Sequence, residues 1–384
     1  MAVNIDDLLK KAVNLGASDL HIKAGNAPIV RIHGALSFMP NEKRLSSEDS
    51  MNLVHSVMNP GHKDLFKKKN DIDIAYSVPG LGRFRCNAFV QRGTVSAVLR
   101  VIPMKILDVE QLHLPPVINK IAMESRGLIL VTGTTGSGKS TTLASMVDYI
   151  NLNRTDHVVT IEDPIEFLHR DKRSVVNQRE IGADTESFSK ALRASMRQDP
   201  DVILVGEMRD FETIQTAIVA AETGHLVLST LHTVDATETV NRIISVFPPY
   251  QHKQVRVQLA SILRAIISMR LIPRSDGKGR VPAVEVLIGT ATIKACVENP
   301  DRTKAIPDVI AQGYSQYGMQ TFDQSLLGLY KDGLITYQDA LRRATSPDDF
   351  VLKVKGVQST KELKEDEEES IKDVGVPGIE RFSS

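Results

Sequence analysis

Residues 133–141 read Gly-Thr-Thr-Gly-Ser-Gly-Lys-Ser-Thr, and no other stretch limits the fold so tightly. Gly133, Gly138, Lys139 and Ser140 satisfy the spacing G-x-x-x-x-G-K-[ST] of a phosphate-binding loop. Leu128-Ile129-Leu130-Val131 runs into the loop as a buried parallel strand would, and 141–149 leaves it with helix-compatible composition. A strand–loop–helix frame calls for an α/β fold. Each residue type has a physical task in it. The glycines let the backbone turn and aim several N–H groups at a polyphosphate. The helix start adds favourable partial charge. Lys139 reaches the β and γ oxygens, and the Ser140 hydroxyl ligates Mg²⁺. The run Gly133, Thr134, Thr135, Gly136, Ser137, Gly138, Lys139, Ser140, Thr141 is therefore expected to cradle ATP or a related nucleoside triphosphate.

Composition narrows the partners. The 384 residues allow two or three domains. Forty-seven basic and 47 acidic residues cancel, so no basic excess is available to release counterions from a nucleic-acid backbone. Cys86 and Cys296 lie far apart in the chain and build neither a disulfide framework nor a zinc motif, which fits a reducing cytoplasm. Residues 1–11 are too polar and acidic for a signal peptide, and no apolar run reaches the length of a bilayer span.

Residues 1–101 read as a small α+β domain. A helix is predicted over 6–15, with Leu8, Leu9, Ala12 and Val13 on one face. Short strands are predicted at 19–22, 29–32, 72–75, 83–90 and 95–102, with Gly34, Gly80 and Gly82 as turns. Prolines 103, 115 and 116 mark 102–116 as a linker. From 117 to 247, short Val/Ile/Leu runs at 128–132, 157–161, 202–205 and 226–229 alternate with helical stretches at 185–197 and 211–222. Continuous apolar strands of that kind belong to a parallel sheet buried on both faces. The region 248–350 reads as mainly helical, with one helix expected over 253–272 from Val257, Ile262, Ile266 and Met269. The tail 351–384 contains KELKEDEEES at 361–370 and is expected to be disordered.

Several polar groups beyond the loop carry chemistry. Glu162, Asp163 and Glu166 follow the strand that ends at Ile161, and carboxylates just past such a strand face the ligand crevice. Glu207 closes the apolar run 202–205, where a P-loop ATPase usually keeps the carboxylate that orients the attacking water. His225 precedes the strand 226–229 and His232 follows it, so strand polarity puts His232 nearer the phosphates. Arg83 and Arg85 alternate on one strand and share a face, with Arg100 on the next strand. Clustered arginines can neutralise the charge of a transferring phosphoryl group.

Four boxes in order, GTTGSGKST, TIEDPIEF (160–167), RQDPDVILVGEMRD (197–210) and TGHLVLSTLHT (223–233), resemble the secretion ATPase superfamily. GASDLHI (16–22) and GMQTFDQSL (318–326) are similar to the type IV pilus retraction ATPases of the PilT/PilU kind, over about residues 1–350. The resemblance implies a PAS-like N-terminal domain, a RecA-like core and a ring-shaped homohexamer. It implies that Glu207 activates water, that Glu166 serves the magnesium, and that His225 and His232 belong to the catalytic set. It also implies that Arg83, Arg85 and Arg100 approach the nucleotide. The implied function is retraction of pili and twitching motility from the cytoplasmic face of the inner membrane, against a PilC-like platform protein.

One stretch departs from the pattern. Residues 292–299, Thr-Ile-Lys-Ala-Cys-Val-Glu-Asn, keep little of the AIRNLIRE-like helix of the retraction motors. The wording at 335–350 and the acidic extension look more like PilU, the accessory paralogue. An accessory ATPase that depends on a paralogous partner is therefore the alternative expectation. A type II secretion or pilus assembly ATPase is a third, opposed by two distant cysteines and by the short region ahead of the core.

Overall fold

The computed structural model describes residues 4–32, 34–102 and 105–356, and the chain divides into two compact units. The first unit comprises the residues up to Ile106 together with 161–172 and 176–187. The second comprises 107–160, 173–175 and the chain from Phe188 onward.

The first unit opens with α1 (Ile5–Asn14), capped by the Asn4 side chain, with Ile5, Leu8, Leu9 and Ala12 buried along one stripe. Strands β1 (Asp19–Lys23), β2 (Ile29–Ile32) and β3 (Ala35–Phe38) follow. Helices α2 (Ser47–Ser56) and α3 (Pro60–Lys69) then lead to β4 (Asp71–Val78), β5 (Gly82–Gln91) and β6 (Thr94–Val101). The six strands form one sheet in the order β3-β2-β1-β6-β5-β4. Its core joins Leu8, Leu9, Leu20, Ile22, Phe84 and Leu99, all essentially excluded from water. The strand runs expected at 19–22, 29–32, 72–75 and 83–90 fall within strands, and 95–102 does so up to Val101, whereas β3, α2 and α3 were not expected. α2 and α3 carry clear local signals: a capping box between Ser46 and Asp49, and Asn59 followed by Pro60.

The second unit starts with α4 (Val117–Ala122), β7 (Gly127–Thr132) and α5 (Lys139–Asn153). Next come β8 (His157–Glu162), β9 (Val175–Glu180), α6 (Phe188–Ser195) and β10 (Val202–Val205), of which 161–162 and 176–180 count with the first unit. Then follow α7 (Phe211–Glu222), β11 (Leu226–Leu231), α8 (Ala236–Ser245), α9 (His252–Ile262), β12 (Leu263–Pro273) and β13 (Arg280–Ile288). Six helices complete it: α10 (Ala291–Glu298), α11 (Ile306–Gln312), α12 (Tyr314–Tyr317), α13 (Phe322–Lys331), α14 (Tyr337–Arg343) and α15 (Pro347–Val354). A seven-stranded sheet runs β13-β12-β7-β11-β10-β8-β9. Every residue of β7, β10 and β11 is buried, as the unbroken apolar runs require of strands covered on both faces.

Two expectations need correction. The helix expected over 253–272 ends at Ile262, and the chain continues as β12. β12 pairs in parallel with β7 on one side and antiparallel with β13 on the other. The run Leu263-Arg-Ala-Ile-Ile-Ser-Met satisfies a helical spacing and a buried strand equally well, and the unpaired edge of β7 decides for the strand. β13 also gives the sheet an antiparallel edge. The second correction concerns the tail, whose first residues belong to α15. Phe350 is buried and Val354 packs in the same cluster. The acidic run 361–370 lies outside the described residues.

Ile266 of β12 is fully buried, so Ile266→Ala should cost about 2–5 kcal/mol in chemical denaturation, a large-to-small penalty that a solvent-facing helix position would not show.

Candidate nucleotide site

The strand register of the second unit decides which side chains meet. Leu231 stands opposite Thr132, and Val205 stands opposite Ser229, so β7, β11 and β10 end at one edge of the sheet. The residues that follow those three ends are Gly133, His232 and Gly206-Glu207. Hydrogen bonds hold the edge in place. The Gly133 N–H donates to Leu231 O at 3.4 Å, and the Met208 N–H donates to Thr230 O at 3.1 Å. The Thr230 hydroxyl donates to Gly206 O and the Ser229 hydroxyl to Val205 O, each at 2.7 Å.

Backbone demands explain the glycines. Gly133 has φ 142°, and a Cβ there would lie 2.5 Å from the Met269 carbonyl oxygen and from Ser137 Oγ. Gly138 has φ 101° and caps α5 with no side-chain acceptor, so the first N–H groups of a 15-residue helix face outward from the loop. Thr134, Thr135 and Gly136 are exposed, Ser140 and Thr141 are half-buried, and Ser137 is buried with its hydroxyl lacking a hydrogen-bond partner. Lys139 is 8% exposed, and its ammonium donates to Gly133 O at 2.8 Å and Thr134 O at 3.0 Å. Uncapped amide groups, an unpartnered buried hydroxyl and a lysine folded over the loop suit an anionic polyphosphate.

Beside the loop, Glu207 forms an ion pair with Arg209 at 2.8 Å and lies 3.7 Å from His232 Nε2. Burial pushes the His232 imidazole below its ordinary value, and the Lys139 charge adds to that. Glu207 opposes both, and Arg209 works with them. A neutral imidazole can donate one hydrogen bond while standing next to the Lys139 cation. Sequence reasoning gave Arg209 no role, although it stands two residues past Glu207 in the same box.

The other expected residues are placed elsewhere. His225 sits at the start of β11, where its ring contacts Ala220 O at 2.9 Å and its backbone carbonyl accepts from Gly127. That is the opposite end of the strand from His232, about 20 Å away at roughly 3.3 Å per residue, so within this chain His225 closes the end of α7 and does not join the loop. Glu166 is exposed in the loop after β8. In the first unit, the Arg83 guanidinium donates to Glu180 at 3.0 Å, Arg100 donates to Asp19 at 2.9 Å, and Arg85 lies 3.7 Å from Asp73. Arg85 and Arg100 are direct cross-strand partners. Burial disfavours charge on Asp19, but the Ser18 hydroxyl and the Arg100 guanidinium outweigh it and hold the carboxyl below its usual range. Each of the three arginines thus has a carboxylate neighbour in its own unit.

A parallel sheet ending in a glycine-rich loop, with a lysine, a glutamate and a histidine along one edge, defines a P-loop ATPase. The chain matches the family described as Type II/IV secretion system protein over residues 1–319. It is 45% identical to the type IV pilus retraction ATPase PilT of Pseudomonas aeruginosa, over 91% of this chain and all of that protein. It is 43% identical to the type IV pilus ATPase PilU of the same organism, over 92% of each. The crystal structure of the pilus retraction motor PilT with bound ADP superposes with a TM-score of 0.82 at 48% identity, covering 90% of this chain and 98% of that one. The chain belongs to the type II/IV secretion system protein family and, within it, to the PilT-type pilus retraction ATPases. Among the described residues no helix is long and apolar enough to cross a membrane.

The His232 imidazole should titrate below 6.5 by NMR, and Glu207→Gln should move it lower still, because Glu207 is the group that favours its proton. A midpoint at or above 6.5 would contradict this electrostatic arrangement.

Proposed function

We propose that this chain is the ATP-hydrolysing motor of type IV pilus retraction and twitching motility, working as a ring-shaped homohexamer. The observation that supports it most strongly is the meeting of the loop, Glu207 and His232 at one sheet edge, in a chain that aligns with PilT along its length. In this reading the residues 133–141 wrap the phosphates and Lys139 neutralises the β and γ oxygens. Magnesium, a hard cation that takes oxygen ligands, would be held by Ser140, with Glu166 near its water shell. The ion would supply charge neutralisation on the phosphates. Glu207 orients or deprotonates the attacking water, and neutral His232 donates a hydrogen bond toward the γ-phosphate. Arg83, Arg85 and Arg100 are the proposed additional cations, a role that requires them to exchange their present carboxylate partners. The motor works in the cytoplasm at the inner membrane, against a PilC-like platform protein and beside a paralogous retraction ATPase where one is present.

The accessory reading rests on α10. Its inner face buries Ile293, Cys296 and Val297, while its outer face ends in Glu298 with Lys294 as its one basic residue. A platform protein that reads positive charge there would bind this helix poorly.

Lys139→Ala should abolish hydrolysis and weaken nucleotide binding. Glu207→Gln should keep binding and slow turnover by about a hundredfold or more, the usual cost of losing a general base. Sedimentation with an ATP analogue should give a hexamer, and a strict monomer would contradict the ring. The chain expressed alone in cells lacking every retraction ATPase should restore twitching. If twitching returns only with a PilT-type partner, the accessory reading replaces the motor.

A further inference from the structure

Past its first residue, Arg280, β13 is apolar except at one position. In Arg-Val-Pro-Ala-Val-Glu-Val-Leu-Ile, Glu285 is 7% exposed in the middle of the strand. A buried carboxylate is costly unless it is fully hydrogen-bonded. Glu285 has polar neighbours in two directions. The Ala236 N–H, at the first turn of α8, donates to Oε1 at 2.8 Å. Ser268 on β12 stands directly across the ladder, and its hydroxyl helps hold the carboxyl down. Ser268 in turn accepts from the Thr132 hydroxyl at 3.0 Å, and all three side chains are buried. Thr132 is the last residue of β7, and Gly133 follows it. Met269, next to Ser268, places its carbonyl against Gly133. The other end of the network lies at the turn 232–236, which begins with His232 and ends with Ala236. The bonds from Thr132 to Ser268 and from Ala236 to Glu285, joined by the cross-strand pair Ser268–Glu285, therefore link the base of the phosphate loop to the turn that carries the histidine.

We propose that Glu285 is a positioning residue for ATP hydrolysis, holding the phosphate loop and the His232 turn in register through Ser268 and Thr132 on one side and the Ala236 amide on the other. The proposal rests on the motor reading above and names a residue that does not touch the nucleotide. The direction of the network depends on protonation. As a carboxylate, Glu285 accepts from the Ala236 amide and favours a Ser268 hydroxyl turned toward it, while Thr132 donates to Ser268. As an acid, it carries a proton to donate, so the bond from Ala236 weakens or the hydroxyl pair reverses. Burial raises this carboxyl to about 7, with the Asp235 charge adding to the rise. The Ala236 amide, Arg270 on β12 and Ser268 oppose it. Arg270 is itself held by a stacking contact on Phe322 and by a bond to Arg343 O. Of the other charges on neighbouring elements, Glu238 on α8 accepts from the Val234 N–H, Asp323 on α13 accepts from Thr345 and Ser346, and Asp308 lies on α11. Turnover should therefore fall as the pH drops through about 7.

The test uses the full chain and its Glu285→Gln variant, with Ser268→Ala as a second variant that interrupts the network without touching the carboxylate. Glu285→Gln should lower kcat about tenfold and remove the acid limb near neutrality, the size expected of a small misplacement of catalytic groups. Its affinity for ADP should stay within about threefold, because no ground-state contact is lost. Stability gives an independent readout. A group whose folded value is raised from 4.5 to about 7 contributes its stabilisation fully below 4.5 and loses it as the pH rises to about 7. Across that window the unaltered chain should lose stability relative to Glu285→Gln. The Ala236 amide should lose hydrogen-exchange protection below about pH 7 in the unaltered chain only. If the unaltered chain hydrolyses no ATP, the motor reading fails, and the stability and Ala236 readouts still judge the network. A Glu285→Gln protein with unchanged kcat, the same acid limb and the same Ala236 exchange profile would overturn the proposal.

Discussion

The placement of β7 between β11 and β12 is the constraint on which the rest depends. β7 is buried along its whole length and paired in parallel on both sides, so its end cannot shift without moving two neighbours. Register then fixes the chemistry. Leu231 opposite Thr132 brings His232 to the loop, and Val205 opposite Ser229 brings Glu207 to His232. The Met269 carbonyl, delivered by β12, presses against Gly133 so closely that only glycine fits. The glycine is thus required twice, by a backbone angle and by a neighbour's oxygen.

Charge in the edge is balanced pairwise. Lys139, Arg209, Glu207 and His232 lie within electrostatic reach, and the net effect keeps the imidazole neutral. A cationic histidine next to Lys139 would meet like-charge repulsion, so burial and charge act in the same direction on its proton. Glu285 shows the same effect of burial on an acid, raising a carboxyl that the Ala236 amide, Arg270 and Ser268 partly hold down. The same burial thus moves a base and an acid in opposite directions, each toward its neutral form.

Much of this was legible in the sequence because the signals are local. The loop spacing, the unbroken strands 128–132, 202–205 and 226–229, and the polarity that favours His232 over His225 all follow from short-range pattern. β12 was not legible, because Leu263 to Met269 satisfies both periods and only the open edge of β7 chooses between them. The Glu285 network was also hidden. Its members lie at 132, 236, 268 and 285, and no spacing rule connects them before the sheet does. The one available signal was a lone acid inside an apolar strand. Arg83 and Arg100 were found as a cluster, while their pairing with Glu180 and Asp19 required cross-strand register and a segment well downstream.

We propose that one sheet edge, built from the ends of β7, β10 and β11, holds the nucleotide. Hydrogen exchange with and without ADP and magnesium tests it most directly. Protection of amides in 133–141, together with changes around Glu207 and His232 and none around His225, is the predicted result. Exchange left unchanged at 133–141 while another region becomes protected would contradict the account.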